Sequence, residues 1–399
     1  MLAGRRVVLG VTGSIAAYKA AELASQLVQA GAQVDVVMTE AAIRFVTPLT
    51  FRSLTGRPVY VEMFDPETEV AEQHVALARQ ADAVVIAPAT ASTIARLAQG
   101  LASDMVSVVA LATRAPILLA PAMDTQMFDH PATQANLALL QQRGIAVVGP
   151  SAGRLASGHY GLGRLAEVPE VIGALRWLLG RTKGDLIGRH IVVSAGGTQE
   201  PIDPVRFVSN YSSGKMGYAL AEAARDRGAE VSLVSAPTAL AAPYGVELAR
   251  VRTAMEMCEA IVEKCQGADA LIMAAAVADY QPQAPLEQKL KREETEGLTL
   301  SLVRTPDILG SVPGKLVKVG FAAESQELLA NAWEKLQRKG LDLIVANDIT
   351  DPQAGFGADT NRVVILGKDG DEEHLPLLSK YDVAWRVLDR VAELLWRRS

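Results

Sequence analysis

Twice in this chain an apolar run without polar alternation breaks into a glycine-rich turn and then into a helical pattern. The second occurrence constrains the fold most. Ile191-Val192-Val193 reads as a buried strand, Gly196-Gly197-Thr198 opens a loop, Ser212-Ser213-Gly214-Lys215 closes it, and a helix begins near Met216. Strand, glycine-rich loop and helix N-terminus together make an anion site. Main-chain N–H groups point outward, the helix dipole favours negative charge, and Lys215 adds a full positive one. Such an opening in mid-chain, with a similar one at the N-terminus, implies two nucleotide-handling α/β domains joined head to tail.

A length of 399 residues accommodates two or three domains, each with its own core. Hydrophobic residues at 49% and charged residues at 21% are ordinary for a soluble globular protein. The net charge of −6 argues against nucleic acid as the main partner. The longest apolar stretches, such as Ala270–Ala278, are too short to span a bilayer. Arg5 and Arg6 precede an apolar run as in a signal peptide, but that run leads straight into a strand–turn–helix pattern. The expectation is a cytoplasmic protein with no membrane partner. Cys258 and Cys265, seven apart on one helix face, have no CxxC or Cys/His company. They read as small core residues, with neither a disulfide nor a metal assigned.

In the first domain, Arg6–Val11 and Val34–Met38 are strands around a helix over Ile15–Ala30, with Ser14 as its N-cap. The turn is Gly10-Val-Thr-Gly13-Ser14, not the GxGxxG of dinucleotide sites. Strand two ends in Met38-Thr39-Glu40, where a hydroxyl precedes the acid. Hydroxyls at adjacent strand ends suit one phosphate monoester, which favours FMN over NAD. Ala83–Ala87 runs into Pro88-Ala89-Thr90-Ala91-Ser92-Thr93, Asp104 caps or follows the next turn, and Pro116–Ala120 ends in Pro121-Ala122-Met123-Asp124. With Ile145–Val148 these make five or six parallel strands, a doubly wound sheet. Gly153–Arg164 then carries four glycines within eleven residues, too many for a helix or a good strand, and reads as a lid over the sheet edge. Taken alone, His74 and the other four histidines read as ordinary residues.

The polar, glycine-punctuated Leu178–Arg189 marks the domain boundary, giving domains 1–188 and 189–399. The second sheet reads Ile191–Ala195, Val231–Ser235, Ala270–Ala274, Val317–Phe321 and Leu343–Ala346. Helices fall over Lys215–Arg227, Ala254–Gln266 and Ser325–Lys339. Asn361–Leu366 and His374–Leu378 read as an antiparallel hairpin, and Ser379–Arg397 as a closing helix. Lys289-Leu290-Lys291-Arg292, Thr305-Pro306-Asp307-Ile308 and Phe321 fall on loops or strand ends near the glycine-rich opening. Several cations there suit a triphosphate, and with no GxxxxGK[ST] the site is not a Walker ATPase.

Together these residues resemble the bifunctional phosphopantothenoylcysteine decarboxylase/phosphopantothenate–cysteine ligase family of coenzyme A biosynthesis, over essentially the whole chain. The motifs are Phe207–Gly217 with Asp203-Pro-Val-Arg206 before it, Ala274–Tyr280, Lys289-Leu-Lys291 and Asp342–Asp348. In the first half, Gly10–Lys19, Pro88–Ala91 and Pro121-Ala-Met123 resemble FMN-binding cysteine decarboxylases. The resemblance implies a flavodoxin-like flavoprotein domain followed by a nucleotide-binding ligase domain. It implies FMN held by Gly13, Ser14, Thr39, Thr90, Ala91, Ser92 and Asp104, and His74 as the active-site histidine. By that resemblance FMN would oxidise the substrate thiol to a thioaldehyde, CO2 would leave to give an enethiolate, and hydride would return. In the second domain the resemblance implies that CTP activates 4′-phosphopantothenate as an acyl-cytidylate and that the amine of L-cysteine displaces CMP. Lys289 is then the catalytic lysine and Asn210 handles the acyl-cytidylate. Ala274, Ala275, Asp279, Lys289, Pro306, Asp307, Ile308, Phe321, Lys335 and Lys339 contact the nucleotide, and Mg2+ accompanies the triphosphate with its ligands left open. A homo-oligomer with trimeric flavin-domain contacts is implied, with a dodecamer as one assembly built on them.

Two catalytic positions depart from the family pattern. Asp124 stands where an asparagine is common, and Ser157 where the lid commonly carries a proton-donating cysteine. A serine hydroxyl is a much weaker acid than a thiol, and Asp124 brings charge near a substrate carboxylate. The expectation is that another group, such as His74 or a trapped water, supplies the proton, so that Ser157→Ala keeps most turnover. Two alternatives stay open at this stage: a ligase with a weakened flavin domain, and a flavin-binding interaction protein. Flavin retained without CO2 release separates both from the bifunctional enzyme.

Overall fold

In the computed structural model, which describes residues 1–63, 73–289, 299–324, 328–348, 355 and 357–398, the chain divides into two compact units, Met1–Thr182 and Lys183–Ser399. The first is built on a six-stranded, all-parallel sheet. Its strands are β1 (Arg6–Val11), β2 (Gln33–Met38), β3 (Val59–Tyr60), β4 (Ala83–Ala89), β5 (Ile117–Pro121) and β6 (Ala146–Val147), in the order β3-β2-β1-β4-β5-β6. Seven α-helices lie between or beside them: α1 (Ala17–Gln29), α2 (Pro48–Thr55), α3 (Gln73–Gln80), α4 (Ala91–Gln99), α5 (Met105–Ala112), α6 (Thr125–Asp129) and α7 (Pro131–Gln142). The order reverses between β1 and β4, the crevice where open α/β sheets take ligands. Helices cover the sheet on both faces, so β4 is buried at every position and its side chains are apolar throughout.

Two local expectations are corrected in this unit. Ser14 does not cap α1: Ala16 stands at the N-cap, while the Ser14 hydroxyl, two residues before it, accepts from the Ala16 amide at 3.3 Å. The glycine-rich Gly153–Arg164 is not an irregular loop. It forms an antiparallel hairpin, β7 (Ser151–Arg154) and β8 (Tyr160–Arg164), followed by α8 (Val168–Lys183). Its glycines are there for closeness. A Cβ on Gly161 would lie 2.4 Å from Thr125 Oγ1, and one on Gly163 would lie 2.2 Å from the Met123 carbonyl oxygen. The hairpin therefore sits flat on the loop after β5, held by Met123 N–H to Gly163 O at 3.0 Å and Thr125 Oγ1 to Leu162 O at 2.7 Å.

The second unit starts with β9 (His190–Ala195), a small hairpin β10 (Gln199–Pro201) and β11 (Phe207–Ser209), and α9 (Lys215–Asp226). It continues through β12 (Glu230–Ser235), β13 (Glu247–Arg250), α10 (Ala254–Lys264), β14 (Ala270–Met273), β15 (Tyr280–Pro282), β16 (Leu302–Arg304) and α11 (Ile308–Ser311). The closing elements are β17 (Val317–Glu324), α12 (Leu328–Arg338), β18 (Leu343–Asp348), β19 (Thr360–Asn361), β20 (Val363–Gly367), β21 (Glu372–His374), β22 (Leu378–Ser379) and α13 (Lys380–Arg398). Eight strands pair as β13-β12-β9-β14-β17-β18-β20-β21, parallel up to β18 and antiparallel beyond. The expected strand at His374–Leu378 is corrected: β20 turns at Lys368–Asp371 and pairs with Glu372–His374, whereas Leu378 pairs with Asn361. Helix α9 lies close against β9 because position 217 is glycine: a Cβ there would stand 2.6 Å from both Ser194 O and Ala195 Cβ. Cys258 and Cys265 are free and buried in one apolar cluster, where burial pushes the Cys265 thiol up to about 11. Among the described residues no helix is long and apolar enough to cross a membrane.

Candidate functional site

The strand ends of the first unit surround a cleft of about 1410 Å³. Gly13 lets the β1 turn pass the loop after β2, since a Cβ there would fall 2.4 Å from Ala41 Cβ. Buried Thr12 ties β1 to β4, its hydroxyl donating to Pro88 O at 2.6 Å and accepting from Thr90 N at 3.2 Å. Thr90 caps α4 by accepting from Thr93 N, and Thr39 accepts from Ala42 N. Asp104 caps α5 in a reciprocal box with Ser107, and its other oxygen pairs with Arg96. Its charge is thus balanced by a helix N-terminus and a guanidinium.

Gly13, Ser14, Thr39, Thr90, Ala91, Ser92, Asp104, Asp124 and Ser157 all line this one cleft. So do Lys19, Arg44, Arg96 and Arg154, which sequence reasoning did not single out for the site. Lys19 ends the Gly10–Lys19 motif, which was its only signal, and its ammonium bonds Glu167 at 3.0 Å. Asp124 sits at the start of α6, accepting from Gln126 N at 3.1 Å and from the Ser157 hydroxyl at 2.8 Å. The Ser157 bond first, then the Gln126 amide, hold the Asp124 carboxyl below its usual range. His74 is half-buried on α3 and does not line the cleft of its own chain among the described residues.

The fit to a flavin nucleotide is good on these observations. The cleft exceeds the usual ~300–1,000 Å³ of small-molecule pockets, and short hydroxyl side chains converge at three strand ends. Ile15, Tyr18, Ile43 and Met127 also line it, each at least 37% exposed.

In the second unit the residues of interest follow the carboxyl ends of β9, β14 and β17, which are neighbours in the sheet. Ser194 Oγ accepts from Ala275 N at 3.1 Å, Thr198 N–H bonds Ala276 O at 3.3 Å, and Asn210 Nδ2 donates to Val277 O at 3.0 Å. Thr305 joins the next segment, its amide donating to Asp279 O at 3.1 Å and its hydroxyl to Ala278 O at 2.6 Å. Pro306 and Asp307 then lead into α11, which begins at Ile308. Lys335 Nζ donates to Phe321 O at 2.9 Å, and Lys339, one turn on, pairs with Asp307 at 2.8 Å. That pair holds the Asp307 carboxyl below its ordinary value. The structure thus brings Asn210 to Ala274–Asp279, and Asp307 and Phe321 to the two lysines.

Two features differ from expectation. The segment between β9 and α9 is not a tight phosphate loop: residues 196–214 include the β10–β11 hairpin. Lys215 is not an unpaired cation at the helix start, because its ammonium bonds Asp359 at 2.7 Å and Gly357 O at 2.9 Å. Lys289 is exposed at the end of a described run, while Lys291 lies outside the described residues. Among the described residues no three His, Cys, Asp or Glu side chains assemble as a metal site.

Comparison with known proteins accounts for both units. Residues 1–179 match the flavoprotein family, and residues 186–395 match the DNA/pantothenate metabolism flavoprotein C-terminal domain. The chain is 47% identical over 399 residues to the coenzyme A biosynthesis bifunctional protein CoaBC of Bacillus subtilis (strain 168), covering 99% of this chain and 98% of that one. It is 44% identical over 396 residues to the protein of the same name from Escherichia coli (strain K12), covering 98% and 97%. The crystal structure of the C-terminal domain of a CoaBC protein is 41% identical, covers 54% of this chain and all of that one, and superposes with a TM-score of 0.47. The cleft-bearing flavoprotein unit, the second parallel sheet after it and the full-length identity lead to one statement: the chain belongs to the family of coenzyme A biosynthesis bifunctional proteins.

Proposed function

We propose that the second unit joins 4′-phosphopantothenate to L-cysteine at the expense of CTP, and that the first unit decarboxylates the phosphopantothenoylcysteine so formed. The observation that carries this reading is the pair of side-chain groupings, hydroxyls around the strand-end cleft of the first unit, and in the second unit Asn210 against the loop after β14 with Asp307 against Lys339.

In the flavin unit, the amides and hydroxyls of Gly13, Ser14, Thr39, Thr90 and Ser92 hold the phosphate, while Ala91 and Asp104 complete the FMN site. FMN held there would supply the reversible two-electron chemistry that lets the substrate lose its carboxylate without net oxidation. Asp124 and Ser157 face the reacting carbon. Among the described residues His74 does not line its own chain's cleft, and in this reading it serves the cleft of a neighbouring copy. The exposed apolar rim of Ile15, Tyr18 and Ile43 is the surface such a copy would cover in a trimer, with higher assemblies built on it. In the ligase unit, Lys289 neutralises charge building on the α-phosphate, and Asn210 holds the acyl-cytidylate. Lys335, Lys339, Asp307 and the loops at Ala274–Asp279 and Pro306–Ile308 take the nucleotide, with Mg2+ bound through its phosphates. The substrates are small and polar, which suits a cytoplasmic enzyme.

Purified full-length protein should be yellow. With 4′-phosphopantothenate, cysteine, Mg2+ and CTP it should release pyrophosphate, CMP and then CO2. Equal pyrophosphate release with ATP would overturn the nucleotide assignment, and flavin binding without CO2 release would overturn the decarboxylase.

A further inference from the structure

Asp124 and Ser157 come from different elements, the strand end after β5 and the tip of the β7–β8 hairpin, yet their side chains meet at 2.8 Å. The hairpin is fastened at Met123–Gly163 and Thr125–Leu162, so its tip is brought back over the strand end. Both residues line the same cleft. They are also two positions that the resemblance marks as departures from a pattern of asparagine and cysteine.

We propose that Asp124 and Ser157 form a single proton-delivery pair, Asp124 carrying the proton and Ser157 passing it to the substrate carbon. The proposal rests on the reading of the first unit as a decarboxylase. The Ser157 hydroxyl first, then the Gln126 amide, hold the Asp124 carboxyl below its usual range. A substrate carboxylate entering beside it sets two like charges together, and uptake of one proton relieves the repulsion. CO2 leaves without that proton, and the electron pair of the broken C–C bond passes into the enethiolate. The Ser157 O–H proton then forms the new C–H bond, the Asp124 proton replaces it on Oγ, and Asp124 ends as a carboxylate. Nothing is oxidised or reduced in this transfer.

The carboxyl group removes the objection to serine as a donor, because no free alkoxide has to form. Other charged groups also line the cleft. Lys19 is paired with Glu167 and Arg96 with Asp104, Glu40 and Glu62 stand on the loops after β2 and β3, and Arg44, Arg154 and Arg164 carry guanidinium groups, which do not serve as proton donors in proteins. His159 at the hairpin turn is the competitor that has to be tested. The expectation that Ser157→Ala keeps most turnover is thereby reversed.

The test titrates FMN-loaded, full-length protein with 4′-phosphopantothenoyl-L-alanine, which keeps the carboxylate and lacks the thiol. Calorimetry in two buffers of different ionisation enthalpy, near neutral pH, counts protons. Wild type should take up about one proton on binding, Asp124→Asn should bind with none, and His159→Gln should match wild type. No uptake by wild type, or uptake lost in His159→Gln and kept in Asp124→Asn, overturns the pair. In single turnover of the true substrate, Asp124→Asn and Ser157→Ala should each slow the reoxidation of flavin after CO2 loss by about 10²-fold. The double variant should be no slower than either. Multiplying effects would mean two separate roles and would sink the proposal. The proton count needs no turnover, so failure of the pair and failure of the decarboxylase reading are read separately.

Discussion

The two units start from the same plan and end with different kinds of site. In the first, β1 turns tightly into α1, Gly13 packs against Ala41, and the strand ends leave an open cleft with exposed apolar residues on its rim. In the second, the corresponding turn is lengthened by the β10–β11 hairpin, which carries the 89%-exposed Tyr211 just beyond it. The cations beside that turn are already occupied: Lys215 by Asp359, Lys339 by Asp307, Lys335 by the Phe321 carbonyl. The first site is a shaped cleft. In the second, two lysines are ion-paired and a third is bonded to a carbonyl, and in the function proposed above a polyanionic co-substrate would exchange these partners. Preorganisation explains the difference, since a permanently bound cofactor gains from a fixed cavity and a departing nucleotide gains from partners that close behind it.

Separating the two activities is the strongest way to break this comparison. Lys289→Gln should lower CTP-dependent amide formation by at least about 10²-fold, the scale of losing one charge-stabilising group, and leave CO2 release from added phosphopantothenoylcysteine unchanged. His74→Asn should do the reverse. Amide formation at the wild-type rate in Lys289→Gln ends that lysine's assignment, and loss of both activities in His74→Asn marks the histidine as structural.

Lys339→Gln sharpens the claim that the ligase cations are exchanged. It should raise the KM for CTP about 10-fold, equivalent to roughly 1.4 kcal/mol, with little change in kcat. The acid behaviour follows from the same pair. The Asp307 carboxyl is held below its ordinary value, so its stabilisation is complete above the unfolded pKa of about 3.9 and is lost as pH falls through the lower folded value. Because Asp307 is 54% exposed, that contribution is no more than about 0.5 kcal/mol. Denaturant melts of wild type and variant should differ by that amount near neutrality and converge in strong acid. A difference that grows in acid would mean the pair is assigned with the wrong sign.

A last expected effect concerns independence of the units. Thr253 caps α10 in a reciprocal box with Glu256. Thr253→Ala should destabilise the second unit by about 1 kcal/mol and leave flavin retention by the first untouched. A shift in flavin release on heating would show that the units unfold together.

Much of the framework was legible in the residues. Arg6–Val11 is a strand over the expected span because a chain segment covered on both faces must be apolar at every position. The Asp104 cap follows from local rules of capping, which need no distant partner. The resemblance carried the chemistry, from the Gly10–Lys19 turn to Phe207–Gly217.

What the sequence determined by itself was therefore local: which segments are strands or helices, where glycine must stand, and which motifs belong together. Tertiary structure decided the pairings. Gly153–Arg164 became a hairpin because its glycines meet Met123 and Thr125, residues of another strand end. Lys215 lost its free charge to Asp359, 144 positions away, and Ser157 gained a carboxylate 33 positions away. The edge strand Glu247–Arg250 has only two half-buried positions and no apolar run, and β12 beside it makes it a strand. Period and propensity act over a few residues, whereas hydrogen bonds and ion pairs form between whichever groups the fold brings within about 3 Å. That is why the bond between Ser157 and Asp124 could not be read from the sequence.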